Sequence, residues 1–322
     1  FLHLSRMNFE PRNKNSALHG RMKHSLNMMG IEKHKEFFCG WGAGCVETMI
    51  LFPQSKLIFR QQLHGVVFRV AFDQLRTEGI TRLYRGLLPP LLMRTTTRAL
   101  MFGMFDKLQK TFGCYHSPPS TPFTLCHAAA AFFAGSIEAV LCPLERVQVL
   151  LQTNRYHDRY RNTAHALAQV AKLGPRELYR GLSLVLVRNG FSNSLFFTLR
   201  DPLRVYVFDL HKTSKSEKIR RIPEPLMHFI ADFASGALLG ATLSTMFFPV
   251  NVIKQRMQST VQTPFLSGWT VFRIIWNERN GSARVLFRGV QLNFTRSLLA
   301  WGITNSVYEL LRRSFESRTT RR

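Results

Sequence analysis

A pattern built on proline recurs three times along the 322 residues of the chain. Each copy has an apolar segment that ends at a proline, a glutamine nine residues later, and then an aromatic-Arg-Gly triplet. The three copies are Pro53, Gln62 and Tyr84-Arg85-Gly86; Pro143, Gln152 and Tyr179-Arg180-Gly181; and Pro249, Gln258 and Phe287-Arg288-Gly289. The prolines are 90 and 106 residues apart, so each copy takes about a third of the chain. A recurrence of this length predicts three similar structural units.

The apolar segments have the length of membrane-spanning helices, since about 20 helical residues cross the roughly 30 Å hydrocarbon core. Three of them precede the prolines and three follow the glycines: 37–55, 122–144, 226–250, 86–104, 181–199 and 289–308. Interior charges and many Gly, Ser and Thr residues lower their hydropathy, as expected where one face of each helix meets water. The predicted fold class is an all-α membrane protein with six transmembrane helices in three pseudo-threefold repeats.

The predicted organisation is a flexible basic N-terminal tail followed by three repeats: 1–29, 30–113, 122–211 and 226–315. Between the two spans of each repeat lies a short amphipathic stretch suited to the membrane surface. These stretches are 70–77, 164–172 and 269–277. Small residues lie thirteen and nine positions before each proline: Gly40 and Gly44, Ala130 and Ala134, Gly236 and Gly240. That spacing lets two helices approach closely in lipid.

Composition narrows the possible functions. The chain has 44 Lys and Arg against 19 Asp and Glu, a net charge of +25, which indicates an anionic partner. The basic residues are spread along loops and tails without a basic strip between exposed aromatics, so we expect no nucleic-acid binding. Five cysteines, none in a Cys-x-x-Cys pair, indicate packed thiols and neither a disulfide framework nor a metal cluster. The common phosphate-loop, dinucleotide and metalloprotease motifs are missing, so we expect no enzyme, cofactor or metal.

The threefold motif resembles the signature of the mitochondrial carrier family, Pro-x-acid-x-x-base-x-base-x-Gln followed by acid-Gly-x4-aromatic-base-Gly. The resemblance covers about residues 30–315. It implies a six-helix barrel around a water-filled cavity, short surface helices on the matrix side, and two gates that close in alternation. Seven runs look like the branch of the family that transports NAD: FRQQL, YRGLLPP, TTTRALMFG, PLERVQVLLQ, RNGFSNSLFF, FFPVNVIK and WGITNSVYE.

The resemblance implies a matrix gate two and five residues after each proline. The acid positions hold Ser55, Glu145 and Asn251, and the base positions hold Ile58, Gln148 and Lys254. The family's cyclic order pairs Ser55 with Gln148, Glu145 with Lys254, and Asn251 with Ile58. One link is ionic, and both partners of the other two are replaced together, which leaves no lone charge in a low-dielectric site.

A cytosolic gate is implied 20 and 23 residues after each final glycine. Family pairing joins Asp106 with Arg204, Asp201 with Arg312, and Glu309 with Gln109. Two ion pairs and one ion–amide link are therefore expected there, so the matrix gate is predicted to be the weaker of the two. Two departures from the signature concern the junctions: Leu173 replaces the acid before Gly174, and the third copy has an extra residue between Gly281 and Gly289.

Charged residues inside the predicted spans mark the candidate substrate site. The family's contact positions follow each final glycine by seven and eight residues: Met93 and Arg94, Arg188 and Asn189, Arg296 and Ser297. Glu138, five residues before its proline, stands where the other repeats have Thr48 and Ser244. A charge that faces lipid at mid-membrane costs about 2.5–3.5 kcal/mol, so these residues are expected to face a cavity or one another.

Arg188 and Arg296 lie at equivalent positions and offer paired donors suited to phosphate oxygens. If the solute is oxidised NAD, we expect its pyrophosphate to meet these arginines and Glu138 to face the cationic nicotinamide ring. Met93 suits a flat aromatic ring. The alternatives are a structural ion pair between Glu138 and Arg94, and simple packing for Met93.

The aromatic-Arg-Gly triplets open helices, where free backbone N–H groups and the helix dipole attract phosphate. The resemblance makes them cardiolipin sites: Arg85, Gly86, Arg180, Gly181, Arg288 and Gly289. Glycine also permits the turn, and both roles are compatible.

Together with these features, the family resemblance implies a monomeric, multi-pass solute carrier of the mitochondrial inner membrane that imports NAD or a close nucleotide by alternating access, without covalent chemistry. Two alternatives stay open. Arg188-Asn189 also resembles the Arg-polar pair of carboxylate carriers, which suits another anionic metabolite. The other alternative is a membrane scaffold that has kept the fold and lost transport.

Overall fold

The computed structural model describes residues 31–114, 125–213 and 224–320, which are helical and contain no strand. The predicted tail, residues 1–29, lies outside this range. The first repeat contains α1 (Ile31–His64), α2 (Phe68–Glu78), α3 (Ile80–Leu83) and α4 (Leu88–Thr111). The second contains α5 (Leu125–Ile137), α6 (Cys142–Gln152), α7 (Thr163–Lys172), α8 (Pro175–Leu178) and α9 (Leu182–Thr213), with 3₁₀ turns at Glu138–Leu141 and Asn154–Tyr156. The third contains α10 (Glu224–Met246), α11 (Phe248–Gln258), α12 (Gly268–Glu278), α13 (Ala283–Leu286) and α14 (Val290–Thr320).

The long helices form a closed ring. In chain order α1 packs on α4, α4 on α5, α5 on α9, α9 on α10, and α10 on α14, and α14 packs back on α1. This arrangement encloses an interior that side chains of all three repeats line.

The three short helices α2, α7 and α12 match the amphipathic stretches predicted from the sequence. Each buries two residues spaced four apart: Ala71 and Leu75, Ala166 and Val170, Val271 and Ile275. Residues at that spacing lie on one face of a helix, so each helix packs with a narrow apolar stripe against the protein.

By length and composition, one helical segment of the described residues passes as a membrane span, Leu125–Gln152, with a mean hydropathy of 1.7. A second candidate is the pair Phe233–Met246 and Phe248–Gln258, which is bent by 58° at its break. The other long helices carry more interior charge, which lowers hydropathy where a helix lines a polar interior.

The three prolines stand differently in their helices. Pro53 lies inside α1, which continues past the predicted span to His64. Pro143 and Pro249 lie in the first turns of α6 and α11. Proline has no amide hydrogen and fits a first turn, where that hydrogen would have no partner. The proline is present in all three repeats, but the helix is interrupted just before it only in the second and third repeats.

Glycines bring helices together in the third repeat as predicted. A Cβ added at Gly236 would lie 2.9 Å from the Trp301 ring. In the first repeat the close contact is shifted by two residues, because an added Cβ at Gly42 would lie 2.9 Å from Leu311, whereas at Gly40 or Gly44 it meets no described atom within 4 Å.

Two of the five cysteines form a disulfide, so the prediction of packed thiols is wrong for them. Cys114, just after α4, is bonded to Cys126 in the first turn of α5, with Cα atoms 5.9 Å apart. Cys39 and Cys142 are buried thiols, and Cys45 is half-buried. The lack of a Cys-x-x-Cys pair argues against a framework, but a single local bridge depends on which helix ends the fold brings together.

Candidate functional site

A cavity of about 440 Å³ lies inside the ring of helices. Residues predicted from the sequence to contact the substrate meet there: Met93, Glu138, Arg188, Asn189 and Arg296. They come from α4, the 3₁₀ turn after α5, α9 and α14. The side chain of the remaining predicted contact, Arg94, lies outside the described part of the chain, and so does the predicted pairing of Arg94 with Glu138.

The six predicted matrix-gate residues line the same cavity, and we call them the proline ring: Ser55, Ile58, Glu145, Gln148, Asn251 and Lys254. They stand two and five residues after each proline, and residues three apart lie on one face of a helix. Lys254 Nζ lies 3.0 Å from Glu145 Oε2, and the two side chains are 11% and 15% exposed. The Ser55 hydroxyl instead donates to the Leu51 carbonyl of its own helix at 2.9 Å. Within the described residues the ring has this single ion pair.

Two asparagines of α9 hold the Glu138 carboxylate. Asn193 Nδ2 donates to Glu138 Oε1 at 3.3 Å, and Asn189 Nδ2 donates to Glu138 Oε2 at 3.5 Å. Asn189 Oδ1 accepts a hydrogen bond from Arg188 Nη1 at 3.0 Å. Sequence reasoning missed Asn193, although it lies four residues after Asn189 and hence on the same face of α9.

The apolar and the charged residues of the cavity wall come mainly from different repeats. Most of the apolar lining comes from the first repeat: Leu51, Phe52, Ile58, Phe59, Pro90 and Met93. The charged lining described comes from the second and third repeats: Glu138, Glu145, Arg188, Lys254 and Arg296. Such a wall is complementary to an anionic solute that also has a flat apolar part.

The arginines of the aromatic-Arg-Gly triplets join neighbouring repeats. Arg180 Nη2 donates to the carbonyl oxygens of Thr263 and Pro264 at 2.7 and 2.6 Å. The equivalent arginines do the same at the other two junctions: Arg85 donates to the His157 and Tyr160 carbonyls, and Arg288 to the Gly65 carbonyl. The guanidinium groups therefore bond to backbone of the following repeat in each case.

The triplet glycines adopt a backbone conformation that other residues rarely take. The φ angles of Gly86, Gly181 and Gly289 are 85°, 83° and 93°. A Cβ at Gly289 would also lie 3.0 Å from Gln61 Oε1. The turn thus requires glycine, as the sequence predicts, while the lipid contact stays a prediction.

A buried ionic cluster at the junction of the second and third repeats was absent from the sequence predictions. Arg146 is fully buried, and its Nη2 lies 2.8 Å from Glu177 Oε1 and 2.6 Å from the Thr260 carbonyl oxygen. Arg180 Nη1 lies 3.2 Å from the same Glu177 oxygen. Glu177 stands four residues after Leu173, the position where the signature acid is lost. Its carboxylate supplies the negative charge at this junction.

The residues of the predicted cytosolic gate lie on α4, α9 and α14. Asp106 pairs with Lys110 of its own helix at 2.8 Å, and both side chains are exposed. The side chains of Asp201, Glu309 and Arg312 lie outside the described part of the chain. The pairing of this gate, which also involves Gln109 and Arg204, therefore stays a prediction.

Several groups outside the spans, near the proline ring, have shifted pKa values, among them His157 and Glu78. Burial, followed by the charges of Arg85 and Lys56, lowers the pKa of His157 to about 4. Burial alone would raise the pKa of Glu78, but the hydrogen bond from Arg60 and its charge outweigh burial and hold that pKa below its usual value. Among the described residues there is no cluster of three or more His, Cys, Asp or Glu that could hold a metal ion.

A closed ring of helices in three related units, with buried charges around a central cavity, is the architecture of a membrane solute carrier. The sequence profile of the mitochondrial carrier protein family matches residues 32–116, 120–210 and 226–319, and the chain belongs to this family. It is thus a transporter of the mitochondrial inner membrane and not an enzyme.

Three members of this family show how similar the chain is to carriers with a named solute. The mitochondrial nicotinamide adenine dinucleotide transporter SLC25A51 of Mus musculus is 42% identical over 287 residues, 89% of this chain and 92% of its own length. SLC25A52 of Homo sapiens, with the same description, has the same identity and coverage. The mitochondrial 2-oxodicarboxylate carrier of Bos taurus is 28% identical over 250 residues, 72% of this chain and 77% of its own length.

Proposed function

We propose that this carrier imports NAD, or a close nucleotide, into the mitochondrial matrix by alternating access. The observation that carries the proposal is the cavity lining, in which Arg188 and Arg296 stand at equivalent positions and Glu138 is linked to Arg188 through Asn189. The mouse and human relatives named as NAD transporters, at 42% identity, support the same solute.

Each part of oxidised NAD has a matching part of the cavity. The pyrophosphate is a dianion, and guanidinium groups donate paired hydrogen bonds to phosphate oxygens, so Arg188 and Arg296 are its proposed partners. The nicotinamide ring is cationic, and Glu138 supplies the opposite charge. The adenine ring is flat and neutral, and the apolar wall of the first repeat around Met93 suits such a surface.

Alternating access needs a gate at each end of this cavity. The Glu145–Lys254 pair joins the second and third repeats at the proline ring, and we propose that this end is the matrix gate in its closed form. We assign the cytosolic gate to the six residues predicted from the sequence. The solute binds between the gates, where its contacts bias the balance between the two conformations.

We further propose that the transport unit is a monomer with cardiolipin at the three triplets. The glycines Gly86, Gly181 and Gly289 precede helices whose first N–H groups have no partner within the helix, and such groups attract phosphate. Because the triplet arginines bond to protein carbonyls, we assign the phosphate contact to the backbone and the arginines to holding the next repeat.

A second candidate solute is a dicarboxylate. The adjacent Arg188 and Asn189 in the cavity and the similarity to the bovine 2-oxodicarboxylate carrier favour it. A dicarboxylate would use the arginines but would leave Glu138 and the apolar wall without a partner, so we rank it second.

Uptake by proteoliposomes tests the proposal. The purified chain is reconstituted with and without cardiolipin, and uptake of labelled NAD is compared with that of ATP, AMP and a 2-oxodicarboxylate. We expect selective NAD uptake, lowered about tenfold or more by Arg188→Ala or Arg296→Ala, because a hydrogen-bonded charge is lost. Lys172→Ala, an exposed lysine of α7, is the matched control.

The other outcomes point to the alternatives. Preferred uptake of the dicarboxylate would replace NAD by the second candidate. No uptake of any solute by the folded protein would favour a scaffold that has kept the fold.

A further inference from the structure

Asn193 contacts the Glu138 carboxylate from a position one helical turn beyond Asn189 on α9. Glu138 and Asn189 line the cavity, whereas Asn193 is not among the lining residues described. Asn193 and Asn189 stand one helical turn apart on α9 and donate to different oxygens of the same carboxylate, at 3.3 and 3.5 Å. The two amides together therefore hold both oxygens of one acidic group.

This contact depends on Gly135 in α5. A Cβ added at Gly135 would lie 2.6 Å from the Asn189 carbonyl oxygen and closer still to Asn193 Nδ2. Real side chains do not approach so closely, so glycine is what lets α9 come near enough for the Asn193 amide to reach Glu138. The hydrogen bond from Asn193 to Glu138 therefore requires the close approach of α9 to α5 at Gly135.

The positions equivalent to Glu138 in the other two repeats hold the neutral residues Thr48 and Ser244. In the third repeat Asn293 Nδ2 donates to the Ser244 hydroxyl oxygen at 2.5 Å. In the first repeat the Thr48 hydroxyl donates to the Gly44 carbonyl of its own helix at 2.7 Å. Asn293, four residues after Gly289, thus holds a hydroxyl, whereas Asn193, twelve residues after Gly181, holds a carboxylate. The two asparagines are at different positions of their repeats, and only the second bond has a charge to position.

We propose that Asn193 is a positioning residue that makes the Glu138 carboxylate the determinant of selectivity for a solute with a cationic ring. The inference rests on the proposed transport of NAD. An amide donor stabilises the ionised form of a carboxylate more than the neutral form. Two donors from one helix also keep the carboxylate in one orientation, as a preorganised binding group requires.

The predicted consequence is a difference between two forms of one solute. The oxidised nicotinamide ring is positively charged and the reduced ring is neutral, while the rest of the molecule is the same. Asn193→Leu keeps the side-chain shape and removes the donor. We expect it to raise the KM for oxidised NAD about threefold to tenfold and the KM for reduced NAD by less than about twofold, with little change in kcat.

The experiment measures uptake of oxidised and reduced NAD by proteoliposomes of the wild-type chain and of four variants: Asn193→Leu, Asn193→Ala, Glu138→Gln, and Glu138→Gln combined with Asn193→Leu. Asn293→Leu is the comparison variant, because it removes an amide that lines the same cavity but whose partner, the Ser244 hydroxyl, is neutral. Thermal unfolding of each purified variant establishes that it is folded.

Three results support the inference together. Both Asn193 variants lower the ratio of oxidised to reduced uptake, Asn293→Leu leaves the ratio unchanged, and Asn193→Leu has no further effect once Glu138 is glutamine. An unchanged ratio in a folded Asn193 variant overturns the inference, and so does a full further loss in the double variant, since Asn193 would then act independently of Glu138. If the wild-type chain takes up no NAD, the proposed function fails, and this inference fails with it.

Discussion

Lys254 Nζ of the third repeat lies 3.0 Å from Glu145 Oε2 of the second, and both side chains are largely buried. The other positions of the proline ring hold serine, glutamine, asparagine and isoleucine. A single ion pair therefore supplies the electrostatic part of the closure at this end, and removing either partner leaves a buried charge without its counterion.

Glu145→Ala or Lys254→Ala should shift the protein toward the form that is open at the proline ring. We expect a shift of about 2–3 kcal/mol, somewhat below the cost of breaking a fully buried pair. The measurement is the labelling rate, from the matrix-equivalent side of a liposome, of a cysteine introduced at Ser55. Asn251→Ala, an uncharged change in the same ring, is the control, and equal rates in all variants would contradict a gate held by this pair.

Arg146→Ala should destabilise the protein strongly. It leaves Glu177 buried with one of its two cations lost, and it removes donors from the carbonyls of the third repeat. We expect a loss of about 3–5 kcal/mol in the free energy of unfolding. Arg256→Ala is the control, because the Arg256–Glu278 pair is 36% and 50% exposed and should contribute less than about 1 kcal/mol. Thermal unfolding in detergent compares the two, and similar losses would refute the distinction.

Gly135→Ala should lower the free energy of unfolding by about 1–3 kcal/mol, the usual cost of overpacking. The added methyl group would lie 2.6 Å from the Asn189 carbonyl oxygen and would force α5 and α9 apart. Gly40→Ala is the matched change, since its Cβ meets no described atom within 4 Å. We expect it to be neutral or slightly stabilising in thermal unfolding, because alanine favours helix. An equal effect of both changes would contradict the close approach at Gly135.

Stability should fall as the pH is lowered from about 6.5 toward 4. In the unfolded chain His157 regains its ordinary pKa near 6.5, whereas in the folded protein burial and the charges of Arg85 and Lys56 lower it to about 4. The unfolded state therefore binds more protons in this window, and the free energy of unfolding rises with pH.

His157→Gln should flatten this pH dependence. The measurement is the difference in unfolding temperature between pH 7.5 and pH 5 for both proteins. Glu78 should contribute little to this difference, because its lowered pKa costs stability only as the pH falls below its ordinary value of about 4.5. An unchanged difference in the variant would exclude His157 as a contributor.

The family resemblance, applied by spacing along the chain, predicted the proline-ring residues and five substrate-contact positions that line the cavity, but not the rest of its lining. Positions two and five after a proline share a helix face, and so do positions separated by one turn. Three copies of the motif therefore bring Ser55, Glu145 and Asn251 to one level without any knowledge of the packing. The Glu145–Lys254 contact was implied by the family resemblance, which pairs the acid of one repeat with the base of the next, and the joint replacement of both partners at the other two links supported it.

Other contacts have no counterpart in sequence spacing. Asn193 of α9 donates to Glu138 in the 3₁₀ turn after α5, and Arg180 donates to backbone carbonyls of another repeat. Cys114 bonds to Cys126 where the ends of α4 and α5 lie together. A carbonyl acceptor is present in every residue, so no residue type marks the place where an arginine will bind it.

The sequence by itself determined the three units, the order of the long helices and the charged residues that must turn away from lipid, because helical periodicity and the cost of charge in hydrocarbon act within each segment. The tertiary structure alone decided which contacts join the units. These are the hydrogen bonds of Arg85, Arg180 and Arg288, the buried Arg146–Glu177 cluster, and, within the second unit, the approach of α9 to Gly135. These contacts join segments far apart in the chain, and their formation depends on distances between backbones that only the assembled ring establishes.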